Sequence, residues 1–257
     1  MTRAFLAALM FLTRIPVPRW VGHEPELLAR STTYFPLVGL IVGAWGGTVF
    51  WVVSLGWSPV VAAASSTMAT VWLTGAFHED ALADSLDGFG GGWERDDILA
   101  IMKDSRVGSY ALVGVALALA AKIGALVSIA GANGTVGVLR ALVAAHVLAR
   151  WSSLPLIRRY PYVRDTAAKS RPFASSVTTA RLTTGTLLTL AGVVLALWGQ
   201  GVRTAASLAV AAVVTALAGR YFQRRIDGIT GDCLGAANQL VELAVYFTLA
   251  FHPAGRG

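Results

Sequence analysis

A bundle of about seven membrane-spanning helices is the fold this sequence predicts, and three observations predict it. Hydrophobic residues make up 55% of the 257 residues against 14% charged, with a mean hydropathy of +0.63. That balance is foreign to soluble domains and to disordered chains alike. The apolar residues gather into runs of roughly membrane-spanning length, and the basic residues fall mainly between those runs.

The opening stretch MTRAFLAALMFLTRIPVPRW has a basic start and an apolar body. It is interrupted at Arg14, runs into Pro16 and Pro18, and lacks a small-residue cleavage site, so it reads as a retained segment at the membrane interface. Seven spans are expected next, at about Phe35 to Leu55, Val60 to Phe77, Val107 to Gly131, Val136 to Ile157, Leu182 to Gly199, Ala205 to Phe222 and Leu234 to Phe251. A short amphipathic helix is expected within WERDDILAIMKDSR, where Asp96 and Asp97 suit its start and Lys103 and Arg106 its end. No internal repeat or domain boundary is visible, and residues 1–257 read as a single integral-membrane domain.

Loop charge orients the bundle. Arg3, Arg14, Arg19 and Arg30, then Arg95, Lys103 and Arg106, then Arg158 to Arg181, then Arg220, Arg224 and Arg225 all fall on one side of a seven-span chain. The opposite connections contain only Arg203. The positive-inside rule therefore predicts a cytoplasmic N-terminus. The net charge of +7 does not argue for nucleic acid, because the basic residues form no tract or recognisable binding motif. A lone cysteine, Cys233, excludes an intrachain disulfide.

The chemistry concentrates in Phe77-His78-Glu79-Asp80-Ala81-Leu82-Ala83-Asp84-Ser85-Leu86-Asp87-Gly88. On a helix continuing the preceding apolar run, Asp80, Asp84 and Asp87 share one face, within roughly 60° of arc. With Gly88 read as the helix stop, these acids sit at a negative helix end, unfavourable by roughly 0.3 to 1 kcal/mol each. Lys and Arg are absent from Val71 to Trp93, so a metal ion is the economical compensation, Mg2+ or else Mn2+ given hard oxygen ligands. The plainer reading is a solvated acidic loop. Glu79 and Asp232 join the three aspartates as candidate metal ligands, although Asp232 equally suits the N-cap of the last span.

Acids beside loop cations match the needs of phosphoryl transfer, in which metal ions neutralise phosphate oxygens and cationic side chains stabilise the leaving group. Lys103, Arg106, Lys169 and Arg171 are the candidate cations, each of which also satisfies the positive-inside rule. Asp104, beside Lys103 and Arg106, is placed to close a charged site over the aspartates. His146 and Arg150, four apart in the fourth span, share a face and are grouped with Lys169 and Arg171 as candidate cofactor-binding residues, with Arg150 alternatively snorkelling to the interface. Glu242, four residues after Asn238 in the last span, needs a cation, a proton or a hydrogen-bond partner, and Lys122 sits inside the third span with no evident role.

These residues carry a resemblance. FLTRIPVP at Phe11 to Pro18, FPLVGL at Phe35 to Leu40, GAFHEDALADSLDGFGGG at Gly75 to Gly92, ILAIMKDSRVGSY at Ile98 to Tyr110, HVLARW at His146 to Trp151 and ITGDCLGAANQLVE at Ile229 to Glu242 are similar to the cobalamin synthase (adenosylcobinamide-GDP ribazoletransferase) family. They occur in family order and span nearly the whole chain. The one noted departure is Ala81, where glycine is expected.

The resemblance implies a magnesium-dependent, multi-pass enzyme of the bacterial inner membrane with a cytoplasmic active site. Its substrates would be adenosylcobinamide-GDP and alpha-ribazole or its 5'-phosphate, joined with release of GMP. On that reading Asp80, Asp84 and Asp87 bind metal, and Asp104 is a further ligand or the base. Replacing Asp84 or Asp87 by Asn is then expected to abolish turnover. The lipid bilayer is a partner, nucleic acid is not, and oligomerisation is left open. Asp84-x-x-Asp87-Gly88 also partly resembles the CDP-alcohol phosphotransferases, which leaves that class and a divalent-cation transporter as alternatives.

Overall fold

The computed structural model describes residues 1–163 and 177–252, which are helical apart from turns, short connections and one isolated backbone bridge between Tyr162 and Ile229. In chain order the helices are α1 (Thr2–Leu12), α2 (Pro25–Ser31), α3 (Phe35–Ser54), α4 (Pro59–Thr74), α5 (Phe77–Gly91), α6 (Arg95–Ile101), α7 (Ser109–Trp151), α8 (Ser153–Arg159), α9 (Thr179–Ala196), α10 (Gly201–Ile226) and α11 (Gly231–Ala250). Prolines near the starts of α2, α3 and α4 occupy positions where a missing N–H is harmless. By length and composition five helical stretches are able to cross a membrane, or six if the bent pair α4 and α5 is one span.

The count of seven expected from the sequence meets two departures. The first is α7, an unbroken run of 43 residues in hydrogen-bonding terms. Gly134 inside it has φ 63° and ψ −171°, outside helical space. Lys122 and His146, one on each side of Gly134, both lie within 3.4 Å of Glu242. A continuous helix would hold them about 36 Å apart. The run is therefore a helical hairpin with arms 109–133 and 135–151, matching the two runs separated in the sequence.

The second departure is a correction. The sequence reading continued the second span into the acidic stretch, but Gly75 and Ala76 both take left-handed backbone angles and turn the chain by 90°. α5 starts afresh at Phe77 and runs past Gly88 to Gly91. Glu79 and Asp80 thus stand in the first turn of a helix, the end favourable to carboxylates, and not at its negative end.

Close packing fixes the frame behind α5. A methyl group at Gly39 or Gly43 of α3 would fall 2.3 and 2.6 Å from the backbone of the second α7 arm, at His146 and Val143. Small residues spaced by four let two spans meet backbone to backbone. At one end of the bundle Arg95 donates to Ile226 O at 3.2 Å and Arg225 to Gly92 O at 2.9 Å. At the other, about 34 Å along α10, Arg203 donates to Asn133 and Gln200. α1 is not merely interfacial: Ala4, Ala7, Ala8, Leu9 and Leu12 are buried, and Phe11 packs on Phe35 and Phe77 with ring centroids 6.0 and 5.3 Å away.

Candidate active site

α5 runs back along the first arm of α7, with Leu86 against Gly114 and Gly90 against Tyr110. Asp80, Asp84 and Asp87 lie on the same face of this helix, Asp80 exposed and the other two half-buried. At helix spacing the Cβ atoms of Asp80 and Asp84 are about 6 Å apart. The opposite face, with Leu82, Leu86 and Phe89, lines a groove of about 710 Å3 against α10 and α11 that contains no charged side chain. Anionic groups find no charged partner in that groove, whereas the acid face presents carboxylates.

Asp87 does not complete a three-carboxylate cage. Its two oxygens accept the backbone N–H groups of Gly108 at 2.6 Å and Ala111 at 2.9 Å, so it caps the start of α7. Charge-assisted bonds to a helix N-terminus are a strong structural use of a carboxylate. Glu79 is also turned away: about 100° around the helix from Asp80, it points into the protein toward Lys122. Among the described residues no three His, Cys, Asp or Glu side chains converge as a metal site. Mg2+, however, is commonly held by one or two carboxylates and completed by water and substrate phosphates. Asp80 and Asp84 fit that mode, and a closed protein cage is not what they offer.

The connection from α6 to α7 flanks the acid face, since Gly88 packs on Ile98 and Met102 just before it and Asp87 on Gly108 just after it. α6 is shorter than the expected helix, ending at Ile101, and Lys103, Asp104 and Arg106 lie beyond it. Asp104 is engaged by the Arg106 guanidinium, with Nε to the two carboxylate oxygens at 3.0 and 2.9 Å, and by the Arg106 backbone N–H at 3.0 Å. Those bonds, the side-chain ones first, hold its pKa down at about 2. A carboxylate so stabilised is a weak base, which disfavours the proton-accepting role and leaves that of an anionic brace or ligand. Lys103 is exposed.

His146 and Arg150 share a face as expected, with Arg150 Nη1 2.6 Å from His146 Nδ1, but Arg150 does not snorkel. It is 2% exposed and lies 3.5 Å from Glu242, while His146 is 3.4 Å from the same carboxylate. The structure therefore places these two residues beside Glu242 and not on the connection that carries Lys103 and Arg106. Lys122, unexplained in the sequence, is the closest cation to Glu242 at 2.9 Å; it also donates to Gln239 at 2.5 Å and stands 3.8 Å from Glu79. The signal was present: a Lys and a Glu isolated in separate apolar spans each require an opposite charge, and each is the other's solution.

At the start of α11 the N-cap is Thr230, whose Oγ1 accepts from Cys233 N at 3.2 Å, and Asp232 occupies the first turn instead. Tyr162 and Val163 are tied to this turn through Gly231 N to Tyr162 Oη at 3.0 Å and Val163 N to Ile229 O at 3.0 Å. Lys169 and Arg171 lie outside the described residues.

The family model described as Cobalamin-5-phosphate synthase matches residues 4–250. The chain belongs to that family. It is 46% identical to the adenosylcobinamide-GDP ribazoletransferase of Leptothrix cholodnii over 95% of this chain and 93% of the relative. It is 42% identical to the protein of the same description from Albidiferax ferrireducens, over 96% and 97% of the two chains, and 41% identical to that of Shewanella frigidimarina, over 95% and 93%. No solved structure matches. As a Cobalamin-5-phosphate synthase family member with several apolar helices of membrane-spanning length, the chain is an integral membrane transferase, and the resemblance carried by its motifs holds over nearly its full length.

Proposed function

We propose that this chain transfers alpha-ribazole, or its 5'-phosphate, onto adenosylcobinamide-GDP at the cytoplasmic face of the bacterial inner membrane, with its N-terminus inside, and that it requires Mg2+ or Mn2+. The observation that carries this reading is the acid face of α5 in a chain of this family: Asp80 and Asp84 stand one turn apart with no Lys or Arg between Val71 and Trp93. A ribose hydroxyl of the ribazole attacks the phosphorus on the cobinamide side. The new O–P bond forms as the bond to the GMP phosphate oxygen breaks, GMP leaves with that electron pair, and the hydroxyl proton passes to solvent or to a basic group.

Asp80 and Asp84 would hold the metal, which when bound neutralises diphosphate oxygens and polarises the phosphorus. Lys103 and Arg106, on the connection beside this face, are the cations available to the leaving phosphate, and Asp104 holds Arg106 in place for it. Lys169 and Arg171 are proposed as further phosphate-contacting cations. Asp232, in the first turn of α11, remains a candidate ligand.

Release of radiolabelled GMP from adenosylcobinamide-GDP, dependent on both added ribazole and Mg2+, tests the reading directly. Release without ribazole, or none with all components present, contradicts it. The transporter alternative loses ground on the interior charges, because the buried Glu242 and the half-buried Glu79 already face Lys122.

A further inference from the structure

Behind the acid face, α5, both arms of α7 and α11 enclose a set of charged and polar groups: Glu79, Lys122, His146, Arg150, Gln239 and Glu242. Lys122, Arg150 and Glu242 have side chains 4%, 2% and 3% exposed. Four atoms of the same neighbourhood, His78 Nδ1, Glu79 Oε2, Arg150 Nε and Asn238 Oδ1, are buried with no hydrogen-bond partner among the described residues. Uncompensated polar atoms are costly in a protein interior, and a family of apolar helices has no need of such a core for stability alone. The set is therefore to be explained by what it holds.

It holds α5. The acid-bearing helix is cut from α4 by the left-handed pair at Gly75 and Ala76, so the preceding span does not determine its rotation. Two ties do. Near its C-terminal end Asp87 is bound to the first turn of α7, and at its N-terminal end Glu79 faces Lys122, farther along the same arm. Lys122 is fixed in turn by Glu242 and Gln239 of α11. Glu79 and Asp80 are adjacent in sequence, so whatever turns Glu79 inward turns Asp80 outward.

The leverage is large. A carboxylate about 6 Å from the helix axis moves about 1 Å for every 10° of rotation, and a displacement of that size is enough to lower a rate about a hundredfold. We propose that Glu79 and Lys122 are positioning residues: the Glu79–Lys122–Glu242 chain sets the rotation of α5 and thereby aims Asp80 and Asp84 at the substrate diphosphate. This rests on the reading of the acid face given above.

The test compares Glu79→Gln, Lys122→Met and Lys122→Arg in the full-length protein. Glu79→Gln and Lys122→Met should lower kcat roughly 10- to 100-fold. KM for adenosylcobinamide-GDP should change by less than about threefold, the Mg2+ concentration for half-maximal rate should rise, and Lys122→Arg should restore much of the loss. A second readout needs no turnover. In a Cys233→Ala background, Leu82→Cys reports the buried face of α5 through its labelling by a maleimide. Lys122→Met should speed that labelling at least tenfold, while thermal denaturation stays cooperative.

Parental kcat in the folded Glu79→Gln and Lys122→Met proteins, with parental labelling at position 82, overturns the proposal. So does a loss confined to the amount of folded protein, with normal kcat in what remains. If the parent itself releases no GMP, the assigned reaction is wrong, and the labelling result alone still decides whether Lys122 fixes α5.

Discussion

α5 carries carboxylates on two faces, and the chain treats them in opposite ways. On the inner face Glu79 is aimed at Lys122, which is also bound to Glu242, itself flanked by Arg150 and His146. On the outer face Asp80 and Asp84 project from a stretch that contains no Lys or Arg of its own. The inner acids face cations on neighbouring helices, and the outer ones are the pair proposed above to hold a divalent ion. Proximity in sequence, with Glu79 next to Asp80, says nothing about which class a residue joins. The direction of the side chain around the helix decides it.

The comparison breaks most sharply at Asp84. Asp84→Asn should lower turnover at least a thousandfold while the protein remains in the membrane with unchanged thermal stability; a GMP-release assay beside a melting curve reads both. Glu242→Leu should do the reverse. Removing the inner acceptor leaves the buried Arg150 without its anion and Lys122 with only the more distant Glu79, a loss of about 3 to 5 kcal/mol, seen as a large drop in folded, extractable protein. Combining Lys122→Met with Glu242→Leu should then cost less than the sum of the single changes, because the two groups are in contact.

Asp87 lies between the two classes. Asp87→Asn keeps an oxygen acceptor for the start of α7 but loses its charge. The expected cost is about 1 kcal/mol of stability with part of the activity retained, in contrast to Asp84→Asn and to the sequence-based expectation that both abolish turnover. The smallest effect belongs to Asp104. Its folded pKa is depressed to about 2, so its pairing with Arg106 stabilises the fold above the ordinary aspartate value near 4, and that contribution fades as pH falls from there toward 2. Asp104→Asn should flatten this acid limb in melting temperatures followed from pH 7 to pH 2, with a small drop at neutrality and no change near pH 2.

Most of the helices were legible from hydropathy and punctuation. Even the reversal within α7 was visible, because Ala132-Asn133-Gly134 interrupts the apolar run. The 90° break before α5 was not, because Thr74-Gly75-Ala76-Phe77 offers a single glycine with no proline, and a lone glycine is tolerated within a helix. The i, i+4, i+7 spacing was enough to place Asp80, Asp84 and Asp87 on one face. It was not enough to show that the start of α7 claims Asp87, or that Glu79 meets Lys122, since both depend on the approach of another segment, 21 to 43 residues distant along the chain. Lys122 and Glu242 were each visible as an anomaly, and only the fold brings them together.

Mn2+ binding followed by electron paramagnetic resonance, in detergent-purified protein with and without adenosylcobinamide-GDP, tests the central assignment most directly. The account predicts bound Mn2+ in the parent and in an Asp96→Asn, Asp97→Asn control, tightened by the diphosphate, and its loss in Asp80→Asn and Asp84→Asn. Undiminished binding in both of those variants, with the signal sensitive instead to acids elsewhere in the chain, would contradict it.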